Sequence, residues 1–163
     1  MITRRPRRLA GVNYIGLQRY FVTTCTAFRR PVFQDSTLAA NVATQFLESA
    51  RQLEFATIAY CFMPDHLHLL LNAESQQADL ERMMKHAKQI SGYSYRQTHR
   101  DTLWQPGYHE RVLRNDEETL AVARYVLENP VRAGLAKQIG EWPSAGSDVY
   151  GWEQLFAAWE QQT

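Results

Sequence analysis

The sequence is short of several features that mark whole protein classes. It has two cysteines in 163 residues, Cys25 and Cys61, and neither stands in a CxxC or His-Cys spacing. That count excludes a disulfide framework and argues against a structural zinc site. It contains no run of about 18 apolar residues able to span a bilayer, and its N-terminal arginines are not followed by the apolar stretch of a signal peptide. A cytoplasmic protein with no membrane partner is therefore expected. A large excess of charge of one sign is missing too, since the formal net charge is +1. What is present is ordinary for a globular chain: 45% hydrophobic and 21% charged residues, at a length that suits one domain with its own core.

The near-neutral total hides an uneven distribution. Arg4, Arg5, Arg7 and Arg8 open the chain, and Arg82, Lys85, Lys88, Arg96, Arg100, Arg111 and Arg114 cluster in its middle. Tyr93, Tyr95, Trp104 and Tyr108 are interleaved with the second group. Guanidinium groups that take phosphates and rings that stack on bases suit a nucleic-acid surface, and a solvated helix face gives the same pattern.

Along the chain, residues 1–19 form a basic arm, residues 20–140 a folded domain and residues 141–163 a tail. Tyr20 to Ala27 is rich in β-branched and aromatic residues and predicts the first strand. Asp35 or Ser36 caps a helix with Leu38, Val42, Phe46, Ala50 and Leu53 at helical spacing. Two strands follow, Phe55 to Phe62 and His66 to Leu71, joined by the turn Met63-Pro64-Asp65. Asp79 caps a second helix that turns Leu80, Met83, Met84, Ala87 and Ile90 inward, and Tyr108 to Leu113 is a fourth strand. A third helix starts at a capping box, Asn115 to Glu118, and is expected to stop at Glu128 or Asn129 before Pro130. In the tail, Val149, Trp152, Leu155, Phe156 and Trp159 have helical spacing, so a helix docked on the body is expected, either over the site mouth or completing the core.

This order predicts an α+β, ferredoxin-like fold: a four-stranded antiparallel sheet with two helices on one face and the third helix against the other. The third strand is then central. Its side chains alternate, so Leu67, Leu69 and Leu71 meet the helix pair while His66, His68 and Leu70 face the third helix. The two imidazoles lie roughly 7 Å apart along the strand, from about 3.3 Å per residue, and can reach one divalent ion. Two ligands are too few to specify a metal, and the same pair also reads as strand histidines bonded to water or backbone. On the third helix Leu120, Val122, Ala123, Val126 and Leu127 make the apolar arc, with Tyr125 and Asn129 together on its border.

The strand His66-Leu67-His68 after Met63-Pro64-Asp65, with the later run Arg124-Tyr-Val-Leu-Glu-Asn-Pro-Val-Arg-Ala-Gly-Leu135, resembles the REP-associated tyrosine transposases. These belong to the single-tyrosine HUH superfamily, with the single-strand insertion-sequence transposases. The likeness covers roughly residues 5–147 and includes Arg29-Arg30-Pro31, Gly107-Tyr108-His109-Glu110 and Trp142-Pro143. It implies that His66 and His68 bind Mg2+ or Mn2+, that Asn129 completes the protein ligands, and that Tyr125 is the nucleophile. Many mobile relatives carry Gln in place of Asn129, and the shorter amide must approach more closely or act through water. The resemblance also implies a single-stranded DNA hairpin as substrate, no small-molecule cofactor, and a self-contained monomer with a helix-exchanged dimer as the alternative. Arg4, Arg5, Arg7, Arg8, Arg29, Arg30, Lys85 and Lys88 are the expected DNA contacts. Two rivals stand beside this reading: a hairpin-binding protein that no longer cuts, and an RNA-binding ferredoxin-like module, for which the strands carry no aromatic RNP motif.

Overall fold

A computed structural model describes residues 15–162, apart from the side chain of Glu117. The arm arginines Arg4, Arg5, Arg7 and Arg8 lie outside the described residues. The elements are β1 (Arg19–Cys25), α1 (Ser36–Gln52), β2 (Phe55–Met63), β3 (His66–Ala73), α2 (Leu80–His99), β4 (His109–Leu113), α3 (Asp116–Arg132), β5 (Ala145–Gly146) and α4 (Trp152–Glu160). Two 3-10 turns, Ala27–Arg29 and Val32–Gln34, join β1 to α1. The sheet order is β4-β1-β3-β2-β5 with every neighbouring pair antiparallel, so β3 is central as expected.

The sheet has five strands where four were expected. The fifth is a two-residue piece that pairs Gly146 and Ala145 with Tyr60 and Cys61 of β2. Two residues carry no readable alternation, and the need for glycine appears only in three dimensions: a Cβ on Gly146 would lie 3.2 Å from the Tyr60 hydroxyl.

Each face of the sheet has its own core. Leu67, Leu69 and Leu71 join Phe33, Phe46, Met83 and Met84 under α1 and α2. Leu70 joins Cys61, Met63 and Leu113 under Val122, Ala123, Val126 and Leu127 of α3, and Leu155 and Trp159 of α4 seal the same core. Fully burying one leucine contributes about 1.5–3 kcal/mol, so the alternation of β3 holds both layers to one strand. A bulge at Ile58 breaks the alternation of β2, which lets Phe55 and Phe62 both enter the first core despite their odd spacing.

Helix ends follow the local chemistry. The Asp35 carboxylate accepts from Thr37 N (3.0 Å) and Leu38 N (3.1 Å), and Asp79 accepts from Arg82 N (3.2 Å). Three expectations need correction. Ile90 is 41% exposed, and Ser91 and Tyr95 continue the inward face of α2. Ser91 can face inward because its hydroxyl accepts from Trp104 Nε1 at 2.9 Å and donates to Ala87 O at 2.7 Å. Trp104 and Tyr95 are themselves core residues, 7% exposed, and not surface stacking rings.

The third correction is that Pro130 lies inside α3, which continues to Arg132. In the last turn a proline removes only one hydrogen bond. The helix is ended instead by Gly134 at φ +73°, where Gly134 N donates to Val131 O (3.0 Å) and Leu135 N to Pro130 O (2.8 Å). No described helix is long and apolar enough to cross a membrane.

Candidate active site between the central strand and α3

Strand register brings the first residues together. His68 of β3 lies between Thr23 of β1 and Cys61 of β2, and His66 lies between Cys25 and Met63. His68 Nδ1 bonds Thr23 Oγ1 at 2.8 Å, and His66 Nδ1 bonds Asp65 Oδ1 at 2.7 Å. A carboxylate only accepts, so His66 donates from Nδ1 and presents a lone pair on Nε2. Its Nε2 lies 3.2 Å from Nε2 of His68. The Thr23 hydroxyl can take either role. When it accepts from His68, two imidazole lone pairs converge, which is the arrangement that receives a cation.

The electrostatics favour neutral imidazole at the inner position. Burial first, then the charges of His66, Arg132 and Arg29, bring the His68 pKa down to about 3. Burial alone would raise Asp65; hydrogen bonds from His66 and Arg29 outweigh it and hold the carboxyl below the usual range. Arg29 Nε donates to Asp65 Oδ2 at 2.9 Å and Arg29 Nη1 to Cys25 Sγ at 2.8 Å. Arg29 thus orients Asp65, and Asp65 orients His66, the outer shell expected behind a ligating imidazole.

Helix α3 supplies the third group. Tyr125 is 49% exposed, with its ring centroid 6.4 Å from that of His68 and 6.0 Å, edge-on, from Phe21. Arg132 lies two turns further along, its Cζ 4.1 Å from the centre of the Tyr125 ring, and its Nη2 donates to Tyr125 O at 2.7 Å. A groove of about 340 Å³ follows the outer side of α3 past Arg124, Tyr125 and Arg132 to Trp159 of α4. Asn129, one turn beyond Tyr125, is half-buried, and its carboxamide has no hydrogen-bond partner among the described residues. No cluster of three or more His, Cys, Asp or Glu that could hold a metal exists among the described residues, so any ion here rests on two imidazoles and groups of other chemistry.

His66 and His68 therefore meet, with the Tyr125 ring beside His68 and Asn129 one turn further along α3. Arg29 is joined to them through Asp65. Arg30 pairs instead with Asp101 and donates to Thr102 O at 2.7 Å. Lys85 is exposed and Lys88 Nζ is bound to Gln105 O (2.9 Å) and Gly107 O (2.6 Å). Both lysines belong to α2, on the far side of the sheet from the histidines. Sequence reasoning missed Thr23, Asp65 and Arg132 as parts of the site. Arg132 was concealed by the expectation that Pro130 ended the helix; seven residues from Tyr125, it falls on the same face once α3 continues.

The sequence profile described as "Transposase IS200 like" matches residues 15–129, from the first described residue to Asn129. This chain belongs to the IS200-like transposase family. Two curated relatives carry more specific names. A Haemophilus influenzae protein assigned as a REP-associated tyrosine transposase is 24% identical over 111 residues, 60% of this chain and 62% of the relative. The REP-associated tyrosine transposase of Escherichia coli is 26% identical over 93 residues, 57% of this chain and 54% of the relative. The chain thus spans less than two thirds of the length of either relative. Among solved structures, a REP-associated tyrosine transposase bound to a REP hairpin superposes with a TM-score of 0.71 at 21% identity, over 88% of this chain and 82% of that one. A Deinococcus radiodurans protein assigned as a transposase gives 0.51 at 25% identity, over 75% of this chain and 97% of that one. The α+β transposase fold is shared throughout.

Proposed function

We propose that this IS200-like transposase is a metal-dependent single-stranded DNA endonuclease and strand transferase acting on palindromic-repeat hairpins. The observation that carries the reading is the convergence of two imidazole Nε2 atoms, 3.2 Å apart, beside a half-exposed tyrosine whose ring lies 6.4 Å from His68. The donor set fits a divalent ion: each imidazole has its Nδ1 engaged, and the Asn129 amide oxygen is unclaimed on the adjacent helix. His66, His68 and Asn129 would hold Mg2+ or Mn2+, which when bound supplies Lewis-acid polarisation of the scissile phosphate.

The remaining work falls to the chain. Tyr125 Oη attacks phosphorus; the P–O3′ bond breaks, the phenolic proton passes overall to the departing 3′ oxygen, and a 5′-phosphotyrosine with a free 3′-hydroxyl results. Reversal with another 3′-hydroxyl rejoins DNA without ATP, because the phosphodiester energy is kept in the tyrosyl ester. Arg132 fixes the backbone at Tyr125 and sets a permanent positive charge beside the arriving phosphoryl oxygens. The Tyr125 ring lies 6.4 Å from that of His68 in its own chain, which supports a self-contained monomer. The hairpin substrate is carried over from the solved relative bound to a REP hairpin.

The test is a denaturing-gel assay with a single-stranded hairpin taken from the gene's own flank, with Mg2+ or Mn2+, for wild type and Tyr125→Phe. A protein-linked product from wild type alone is expected. Binding without cleavage by either protein, under either ion, would replace this reading with that of a hairpin-binding protein.

A further inference from the structure

The turn after β1 presents a side chain that the fold does not use. Phe28 is 83% exposed, the highest value for a large apolar side chain among the described residues. Its backbone is left-handed, at φ 56° and ψ 20°, and Arg29 follows at φ 55°. A bulky non-glycine residue pays for that conformation in steric strain, and exposing its ring adds the loss of burial. Glycine or asparagine at this position would avoid both penalties. Strain of this kind persists only where the surroundings over-determine it and commonly serves function.

The surroundings do hold it. Thr26 Oγ1 donates to Arg30 O (2.8 Å) and to Asp65 O (3.1 Å), and Thr26 N also donates to Asp65 O (3.0 Å). Ala27 N donates to Leu103 O at 2.8 Å, and Arg30 is tied to Asp101 and Thr102. The ring therefore projects from a rigid turn into solvent. The turn that carries it adjoins the site: the next residue, Arg29, holds Asp65, which holds His66. The Arg30 guanidinium, itself paired with Asp101, lies 5.6 Å from the ring centre and helps to fix the ring.

We infer that Phe28 is a stacking platform for an unpaired base flanking the hairpin stem next to the scissile phosphate. A flat apolar ring held out on a fixed turn matches the face of a base, with little dependence on base identity. A paired base inside the stem is excluded as the occupant, because both its faces are already stacked. This inference rests on the functional reading above and adds to it one side chain of this protein that would hold the single-stranded flank.

The experiment measures equilibrium binding by fluorescence anisotropy for wild type, Phe28→Ala, Phe28→Gly and Phe28→Trp. Two DNAs are compared, a hairpin carrying its single-stranded flank and the same stem without it, alongside thermal melting of each protein. Phe28→Ala and Phe28→Gly should weaken binding of the flanked hairpin by roughly 5- to 140-fold, the equivalent of the ~1–3 kcal/mol of one base–aromatic stack. They should leave the unflanked stem unchanged, and Phe28→Trp should restore binding. Phe28→Gly should melt no lower than wild type, since glycine adopts the left-handed turn without strain. An abasic nucleotide in the flank should erase the difference between wild type and Phe28→Ala.

Equal affinity of wild type and Phe28→Ala for the flanked hairpin would overturn the inference, as would equal losses on both DNAs with a lowered melting point. A Phe28→Ala change that dissociates a dimer while flank binding stays intact would assign the ring to a second copy of the chain. Failure of wild type to bind either DNA is a separate result, and it would remove the functional reading together with this inference.

Discussion

The two layers either side of the sheet share β3 and little else. The layer under α1 and α2 is an apolar core of Phe33, Phe46, Phe55, Phe62, Met83, Met84, Trp104 and three leucines of β3. The layer under α3 and α4 is smaller and houses His68, the buried thiol of Cys61 and the edge of Tyr125. Burial pushes Cys61 up to about 12 and His68 down to about 3, so both are neutral at physiological pH. One layer is dominated by large apolar side chains, and the other holds a buried imidazole whose Nδ1 is bonded to Thr23 Oγ1. Packing an apolar core against one face of a strand gives its other face a rigid base on which to position chemistry.

That division can be broken from either side. The largest effect belongs to Tyr125→Phe: protein-linked DNA should vanish entirely while the urea midpoint stays put, since a half-exposed hydroxyl adds little to packing. Leu69→Ala, in the apolar core, should cost about 2–5 kcal/mol in urea denaturation; a loss under about 1 kcal/mol would show that the first layer is not the stabilising one. Arg132→Ala should slow single-turnover cleavage roughly 100-fold, or about 2.7 kcal/mol of activation energy, with melting shifted by no more than a surface substitution allows. A parallel fall in melting would make Arg132 a helix-end residue and not a site residue.

The smallest effect lies at the exposed ion pair between Asp101 and Arg30. Asp101 is held below the usual carboxylate range chiefly by its hydrogen bond from Arg30, then by Thr102 N. A depressed carboxyl contributes stability above its unfolded pKa of about 3.8 and loses it as pH falls further. Asp101→Asn should therefore reduce stability slightly at neutral pH and flatten the acid limb below about pH 4, read as melting temperature against pH.

Much of this architecture was legible in the chain. The caps at Asp35, Asp79 and Asn115, the alternation of β3 and the apolar arc of α3 are local signals, and each stands where it was expected. The errors came where a second signal, local or tertiary, overrode the one first read. Pro130 sits in a helix because the turn beyond it ends in a glycine C-cap; Ser91 faces inward because an indole N–H from a distant loop meets it; β5 exists only as an addition to an edge already made.

By itself the sequence determined the element order, the two faces of the central strand and the placing of His66 and His68 on one of them, because these depend on spacing along one chain. Only the tertiary structure decided that Thr23 meets His68, that Arg29 serves Asp65 and that Arg132 lies over Tyr125. Those contacts join residues separated by 45 positions, by 36 and by two helical turns. The first two depend on how strands and turns pair, and the third on whether a helix continues past a proline. Strand and turn pairing is set by packing over the whole chain, which no local pattern encodes, whereas the helix continues to the glycine C-cap beyond the proline.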